Sequence, residues 1–262
     1  MNLNQNKEKR SPLKNGPLRN AGQSLNEKII DKFEKDISMP IIMVLFVAVL
    51  TIFEWVKYYT NSNIGPWFYT IILLVFFIYS LFKIIKANKE ISNIKLGRDG
   101  ERQVAESLEE LKKIGYRVYH DILGNSFNID HIAIGPAGAF TIETKTYRKK
   151  NGQDSQIYYN GDKVSIDGFV SGKEFKNPIE QARGQKYWLE GFINDNVKVK
   201  IKVTPVVIFP GWFVNNGNNN GEVLVFNDKA FVTFIKNKTE INLDKNQIDL
   251  IATNLEGYVR NF

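Results

Sequence analysis

Cysteine is absent from the 262-residue chain. That excludes a disulfide framework, a thiolate zinc site and a cysteine nucleophile. Histidine is nearly absent: His120 and His131 alone leave little for a histidine-based metal centre or triad. Any hydrolytic chemistry must then come from carboxylates, lysine or hydroxyls. There is no internal repeat. A phosphate-binding loop is also missing, because Gly135-Pro-Ala-Gly138 falls between two expected strands and cannot present a phosphate to a helix N-terminus. Acidic residues are scarce at one end. Residues 1–96 hold 13 Lys/Arg against 7 Asp/Glu, whereas residues 97–262 hold 22 against 21. Most of the net charge of +7 therefore surrounds the most apolar part of the chain. It reads as membrane topology before it reads as a polyanion-binding surface. Hydrophobic residues at 43% and charged residues at 24% are ordinary globular values and exclude a wholly disordered chain.

Two long apolar runs are present. Ile37–Phe53 is 17 residues without a charge and Ile64–Phe82 is 19 more. As helices they reach roughly 26 and 29 Å, close to the ~30 Å hydrocarbon core of a bilayer. Both are apolar all round, unlike the striped helix of a soluble core. The first begins far from Met1 and the second follows at once, which predicts a helical hairpin over residues 37–82, not a cleaved signal peptide. Trp55, Tyr58, Tyr59, Trp67 and Tyr69 gather toward the connecting loop, as an aromatic belt would. That loop, 54–63, carries only Glu54 and Lys57. The outer flanks carry Lys28, Lys32 and Lys35 on one side and Lys83, Lys86, Lys89 and Lys95 on the other. The positive-inside rule places both ends in the cytoplasm. Residues 1–36 read as a disordered basic tail, most clearly Met1–Ala21, and 83–96 as a basic linker.

From Gly97 the pattern turns to mixed α and β, predicting one domain over 97–262. Asp99 caps an expected helix to about Ile114, with Val104, Leu108 and Leu111 on one face. Tyr116–Ile122, Asn128–Gly135 and Ala139–Tyr147 read as strands, the last two joined by the turn at Pro136. Gln156–Asp167 reads as a hairpin around Asn160-Gly161. Pro178 opens a helix to about Asn194. Strands are expected at Lys202–Phe209 and Glu222–Phe226, a loop at Asn215–Gly221 and a last helix at Asp244–Val259. The order α-β-β-β-α-β implies a mixed sheet flanked by helices.

Several residues do not fit a bland core. Glu143 and Lys145 lie two apart on a strand and share a face with Thr141. Buried charges need partners or a metal. A short turn makes the preceding strand a neighbour, so Asp130 can lie opposite Glu143. Two carboxylates and a lysine converging suit a hard divalent cation; an ordinary Glu–Lys pair on a half-exposed strand suits the spacing equally. Glu101 precedes Val104 by three and Leu108 by seven, so it shares their apolar face. An acid is also common near a helix N-terminus. Gln181 lies four before Gln185 on a partly apolar face, which also describes an amphipathic helix with a wet edge. His131 alternates away from Asp130 and reads as a packed core histidine. Lys145, Arg148, Lys149 and Lys150 form a basic run that could hold a phosphate backbone or simply end a strand in solvent.

Taken jointly, these pieces resemble the nuclease-related domain (NERD). The residues are Gly97-Arg-Asp-Gly-Glu101, Asn128-Ile-Asp-His131, Gly135-Pro136, Ile142-Glu-Thr-Lys145, Asn177-Pro-Ile-Glu-Gln181 and the Val206–Pro210 run. The resemblance covers about residues 97–212. It implies the PD-(D/E)XK nuclease superfamily and a restriction-endonuclease-like α/β fold. Asp130 matches that Asp, Glu143-Thr-Lys145 the (D/E)XK element, Glu101 the helix-borne acid and Gln181 the glutamine of the later helix. Ile129 stands where the superfamily name has proline.

The resemblance then implies a membrane-anchored, cytoplasm-facing nuclease. Asp130, Glu143 and Glu101 would hold Mg²⁺ or Mn²⁺, Lys145 would serve the attacking water and Gln181 would position substrate. The implied partners are nucleic acid, DNA before RNA, along Lys145, Arg148, Lys149 and Lys150, and the lipid bilayer. The alternative is a non-catalytic module of the same fold that holds nucleic acid or a protein at the membrane. The near-neutral balance of residues 97–262 favours that alternative.

Overall fold

The computed structural model describes residues 17–60, 66–124, 127–149, 156–166, 169–170 (backbone only), 178–216 and 221–260. The chain divides into two compact units. One comprises Gly22–Arg102 with Thr146–Arg148, and the other comprises the remainder.

The first unit is built on apolar helices. α1 (Gln23–Phe33) runs through a five-residue π-helical segment, Glu34–Ser38, into α2 (Met39–Tyr59). Pro40 follows the π-helical segment inside this continuous run, where its missing N–H leaves a carbonyl of the preceding turn without a helical donor; Lys83 Nζ donates to Lys35 O there at 3.1 Å. α3 (Trp67–Lys112) follows as one helix of 46 residues. Three hydrogen bonds fix the pairing of α2 with α3. Ser80 Oγ donates to Pro40 O at 3.5 Å, Thr51 Oγ1 to Tyr69 O at 3.4 Å and Trp55 Nε1 to Thr70 Oγ1 at 3.0 Å. Pro40 meets Ser80, whereas Thr51 and Trp55 meet Tyr69 and Thr70, so the pair is an antiparallel hairpin. Trp55 and Trp67 meet edge to face with centroids 5.1 Å apart, and Tyr58 and Tyr59 both pack on Trp55. Both helices are long and apolar enough to cross a membrane. At the other end of the pair, Lys32 bridges Asp36 at 3.0 Å and Glu90 at 2.5 Å.

Three boundaries differ from the sequence reading. Gln23–Phe33 is helical where a disordered tail was expected, because Ile29 packs on Ile37, Ala87 and Ile91. The 83–96 linker is part of α3, and Asp99 lies inside that helix instead of capping it. Propagating an existing helix by one residue is far cheaper than nucleating a new one, and no proline interrupts 67–112. Gly100 also permits a close approach, since a Cβ there would lie 1.8 Å from Thr146 Oγ1.

In the second unit, β1 (Arg117–Leu123), β2 (Asn128–Gly135) and β3 (Gly138–Thr144) form an antiparallel meander. The tight β2–β3 turn uses Gly138 at φ 122°, and Tyr116 lies directly on Gly135, where a Cβ would come within 2.3 Å of the ring. A smaller sheet comes next: β4 (Gln156–Tyr159), β5 (Val164–Ile166) and β6 (Phe169–Val170). α4 (Pro178–Val197) then leads to β7 (Val203–Ile208), which pairs parallel with β3. β8 (Phe213–Asn215) joins the small sheet beside β4, and β9 (Leu224–Phe226) closes the main sheet beside β7. α5 (Asp228–Lys236) and α6 (Lys245–Arg260) complete the unit. The main sheet has order β1-β2-β3-β7-β9 and the small one β6-β5-β4-β8. This is the mixed sheet flanked by helices that the element order implied.

Alternation along the strands builds two cores, one on each face of the main sheet. Ile132, Ile134 and Ala139 join Leu189 and Ile193 of α4 and Ile251 and Leu255 of α6. Ala133, Phe140 and Ile142 join Val104, Leu108 and Leu111 of α3 and Phe231 of α5. Residues 17–21 also belong to this unit. Leu18 packs on the α4-side core, and Arg19 Nε donates to the buried carboxylate of Asp121 at 2.7 Å. A buried carboxylate requires a cation, which orders this end of the expected tail. Residues 1–16 of that tail lie outside the described residues.

Candidate active site

The parallel pairing of β3 with β7 places their carboxyl ends side by side, with the amino end of β2 next to them. Open α/β sheets bind ligands at such carboxyl ends. β2 pairs with β3 through His131 opposite Ile142, so the next step sets Asp130 opposite Glu143 on the α4 side of the sheet. The main-chain N–H of Thr144 donates to Asp130 Oδ2 at 2.7 Å, which confirms that approach.

Glu143 is 2% exposed. Lys145 Nζ donates to its Oε1 at 2.5 Å, and the amide of Gln185 donates to its Oε2. Lys145 lies just beyond β3 and is held there by its main-chain N–H, which donates to Ile208 O at 2.9 Å. Its ammonium also donates to Gln181 Oε1 at 3.0 Å. Thus Glu143, Lys145 and Gln181 form one chain of polar contacts; the spacing set Glu143 and Lys145 on one face, and Gln181 was expected only from the family resemblance.

Gln185 is not among the site residues expected from the sequence. It is 2% exposed and also donates to Asn128 O at 3.2 Å, while its Oε1 is buried without a partner. The signal was available. Gln181, Gln185, Leu189 and Ile193 lie at steps of four and form one stripe, polar at the site and apolar where α4 enters the core. Asp121 was also missed. The pairs His120–His131 and Ile122–Ile129 bracket it, which puts it in register with Asp130 on β1, and Arg19 already neutralises it.

Glu101, Arg148, Lys149 and His131 are also among the described residues. Glu101 is buried on α3, in the unit that carries the apolar helices. Arg148 donates to Ser92 Oγ at 2.8 Å within that same unit. Lys149 donates to Gly211 O at 2.8 Å and stands 5.2 Å from the Trp212 ring centroid. Lys150 and Asn177 lie outside the described residues. His131 is fully buried on the opposite face, its Nδ1 2.8 Å from Nδ1 of His120. Burial pushes both imidazoles down, His120 to about 4.

Among the described residues, no group of three or more His, Asp or Glu side chains gathers as a cation cage. The donor set is the two carboxylates of Asp130 and Glu143. That does not suit a closed structural zinc site. It does suit Mg²⁺ or Mn²⁺, which keep several waters and take one or two carboxylates together with substrate phosphates.

Residues 96–210 match the family model of the nuclease-related domain (NERD), over the stretch that contains Asp130, Glu143, Lys145, Gln181 and Gln185. No curated protein and no solved structure matches the chain.

Proposed function

We propose that the chain, whose residues 96–210 match the nuclease-related domain, is a metal-dependent phosphodiesterase acting on nucleic acid, DNA before RNA. Its two apolar helices would hold it at a membrane, with the α/β domain on the cytoplasmic side. One observation carries the reading. The Lys145 ammonium is fixed between Glu143 and Gln181, and the main-chain N–H of the preceding residue, Thr144, holds the Asp130 carboxylate.

Asp130 and Glu143 would hold Mg²⁺ or Mn²⁺. When bound, that cation supplies Lewis acidity at a phosphoryl oxygen and a lowered pKa for a bound water. The other roles belong to the chain itself. Lys145 keeps a positive charge and a proton donor where negative charge develops on the phosphoryl group. Gln181 sets the direction of that ammonium. Gln185 holds Glu143 in one rotamer, so the carboxylate meets a cation without reorganising. The lysine asymmetry across the hairpin supports the membrane orientation.

The test uses the purified full chain in detergent micelles with Mg²⁺, Mn²⁺ or EDTA. Labelled DNA and RNA are supplied in single- and double-stranded form. Divalent-dependent cleavage that disappears in Glu143→Ala is expected. Cleavage that survives in Glu143→Ala, or no cleavage of any substrate, overturns the catalytic reading and leaves a non-catalytic module of the same fold.

A further inference from the structure

The small sheet β6-β5-β4-β8 carries a feature that phosphodiester hydrolysis does not explain. One of its faces is dry: Ile157 and Tyr159 of β4 and Val164 of β5 are buried. The other face should then be polar. Instead it presents two large rings, Tyr158 at 42% and Phe213 at 62% exposed. β4 pairs parallel with β8, Gln156 against Phe213 and Tyr158 against Asn215. Residues two apart share a face, so Gln156, Tyr158, Phe213 and Asn215 project together. Ser165 joins them through its pairing with Tyr158. From strand spacing and rise, the Tyr158 and Phe213 backbones lie about 8 Å apart on the diagonal.

The surroundings indicate what these rings meet. A face that docks a protein is apolar at its centre, whereas amides and a hydroxyl surround this pair. Positive charge stands at its margins. Lys149 lies over Trp212, the residue before Phe213, and Lys163 is in the β4–β5 turn. Neither forms an ion pair among the described residues. Asp162 of the same turn is already engaged by Arg183 at 3.7 Å. Lys145 N–H donates to Ile208 O and Lys149 Nζ to Gly211 O, so the turn after β7 leads from the candidate site to the strand that carries Phe213.

We propose that Tyr158 and Phe213 form a base-stacking platform, which makes an unpaired strand the substrate of the site. This rests on the phosphodiesterase reading and specifies its substrate. In a continuous duplex the π-faces of the bases are hidden in the stack; only an unpaired strand can lay them on exposed rings. Its phosphates then meet Lys149 and Lys163.

The experiment measures anisotropy of fluorescein-labelled oligo-dT, oligo-rU and a duplex of equal length. The full chain is in micelles with EDTA, and cleavage is assayed in parallel with Mg²⁺ and Mn²⁺. Tyr158→Ala and Phe213→Ala should each weaken single-strand binding about 5- to 150-fold. Duplex binding should move by less than about twofold, since it uses phosphate contacts. Tyr158→Phe and Phe213→Tyr keep the rings and should bind like the parent. Unchanged oligonucleotide binding in the alanine variants, equal losses on single strand and duplex, or a parent that binds neither overturns the platform. So does a change in sedimentation alone, which would make the rings a contact between copies of the chain. Alanine variants that bind and cut single strands like the parent defeat the platform and leave the nuclease reading intact. Ring-dependent binding without any cleavage does the reverse.

Discussion

The main-chain N–H of Thr144 donates to Oδ2 of Asp130 at 2.7 Å, so the last residue of β3 fixes the carboxylate of β2 against its neighbour Glu143. The hydrogen bond makes Asp130 part of the sheet as well as of the site. Its two roles separate by substitution. Asp130→Asn keeps an acceptor for Thr144, whereas Asp130→Ala removes it. The alanine variant should lose about 1–2 kcal/mol of stability and the asparagine variant less than half of that. Both should lose cleavage. Thermal melts followed by tryptophan fluorescence, with cleavage assays alongside, measure this; equal destabilisation by both would deny the hydrogen bond its structural role.

Lys145 and Glu143 should respond oppositely to a cation. Lys145→Met leaves a buried carboxylate without its counter-ion, which costs on the order of 3 kcal/mol in EDTA. A divalent cation can then replace the missing charge, so this variant should gain more from Mg²⁺ than the parent. Glu143→Gln should cost about 1–2 kcal/mol in EDTA, because Lys145 is left unpaired but partly solvated, and should gain almost nothing from Mg²⁺. The expected order of Mg²⁺-dependent stabilisation is Lys145→Met, parent, Glu143→Gln. Three equal gains would make Glu143 a structural partner of Lys145 only.

The paired imidazoles predict acid lability. One Nδ1 donates to the other at 2.8 Å, an arrangement that two protonated rings cannot make. His120 falls from 6.5 to about 4 on folding, through desolvation first and then the charge of Lys112. A depressed folded pKa means that stability is complete above about 6.5 and is lost as pH falls toward about 4, by on the order of 3 kcal/mol. His120→Asn retains a donor for His131 and does not titrate. Melts between those pH values should fall less steeply in the variant; coincident pH profiles would exclude the pair as the cause.

Orientation is open to a direct measurement. Lysines flank both outer ends of the hairpin and are nearly missing from its loop. A reporter fused after Phe262 should be active only in the cytoplasm. Activity restricted to the other side would reverse the topology and remove the nucleic-acid substrate.

Some of this was legible from the chain because it depends on local order. Short runs bounded by turn residues, Asn128–Gly135 and the apolar Lys202–Phe209, marked β2 and β7, and Pro178 marked the start of α4. Two all-round apolar runs marked the hairpin helices. α5 was also readable and was overlooked: Asn227 caps it by accepting from Ala230 N at 2.8 Å, and Phe231, Val232 and Ile235 form its buried stripe. The spacing of Glu143 and Lys145, with a short turn back to Asp130, predicted that the three would meet because side chains two apart share a face.

What the sequence by itself determined is therefore the set of elements, the hairpin and the Asp130–Glu143–Lys145 group, all set by period and turn length. Tertiary structure decided the rest. β8 is three residues long and exists because β4 offers it a ladder, so Tyr158 and Phe213 share a face only through that pairing. Gln185 reaches Glu143 because α4 packs on β3, and Arg19 finds Asp121 across 102 residues of chain. Asp99 failed as a cap because α3 was already running when the chain reached it. Composition and spacing specify which groups are available; which distant groups are desolvated together depends on packing, and packing is a property of the whole domain.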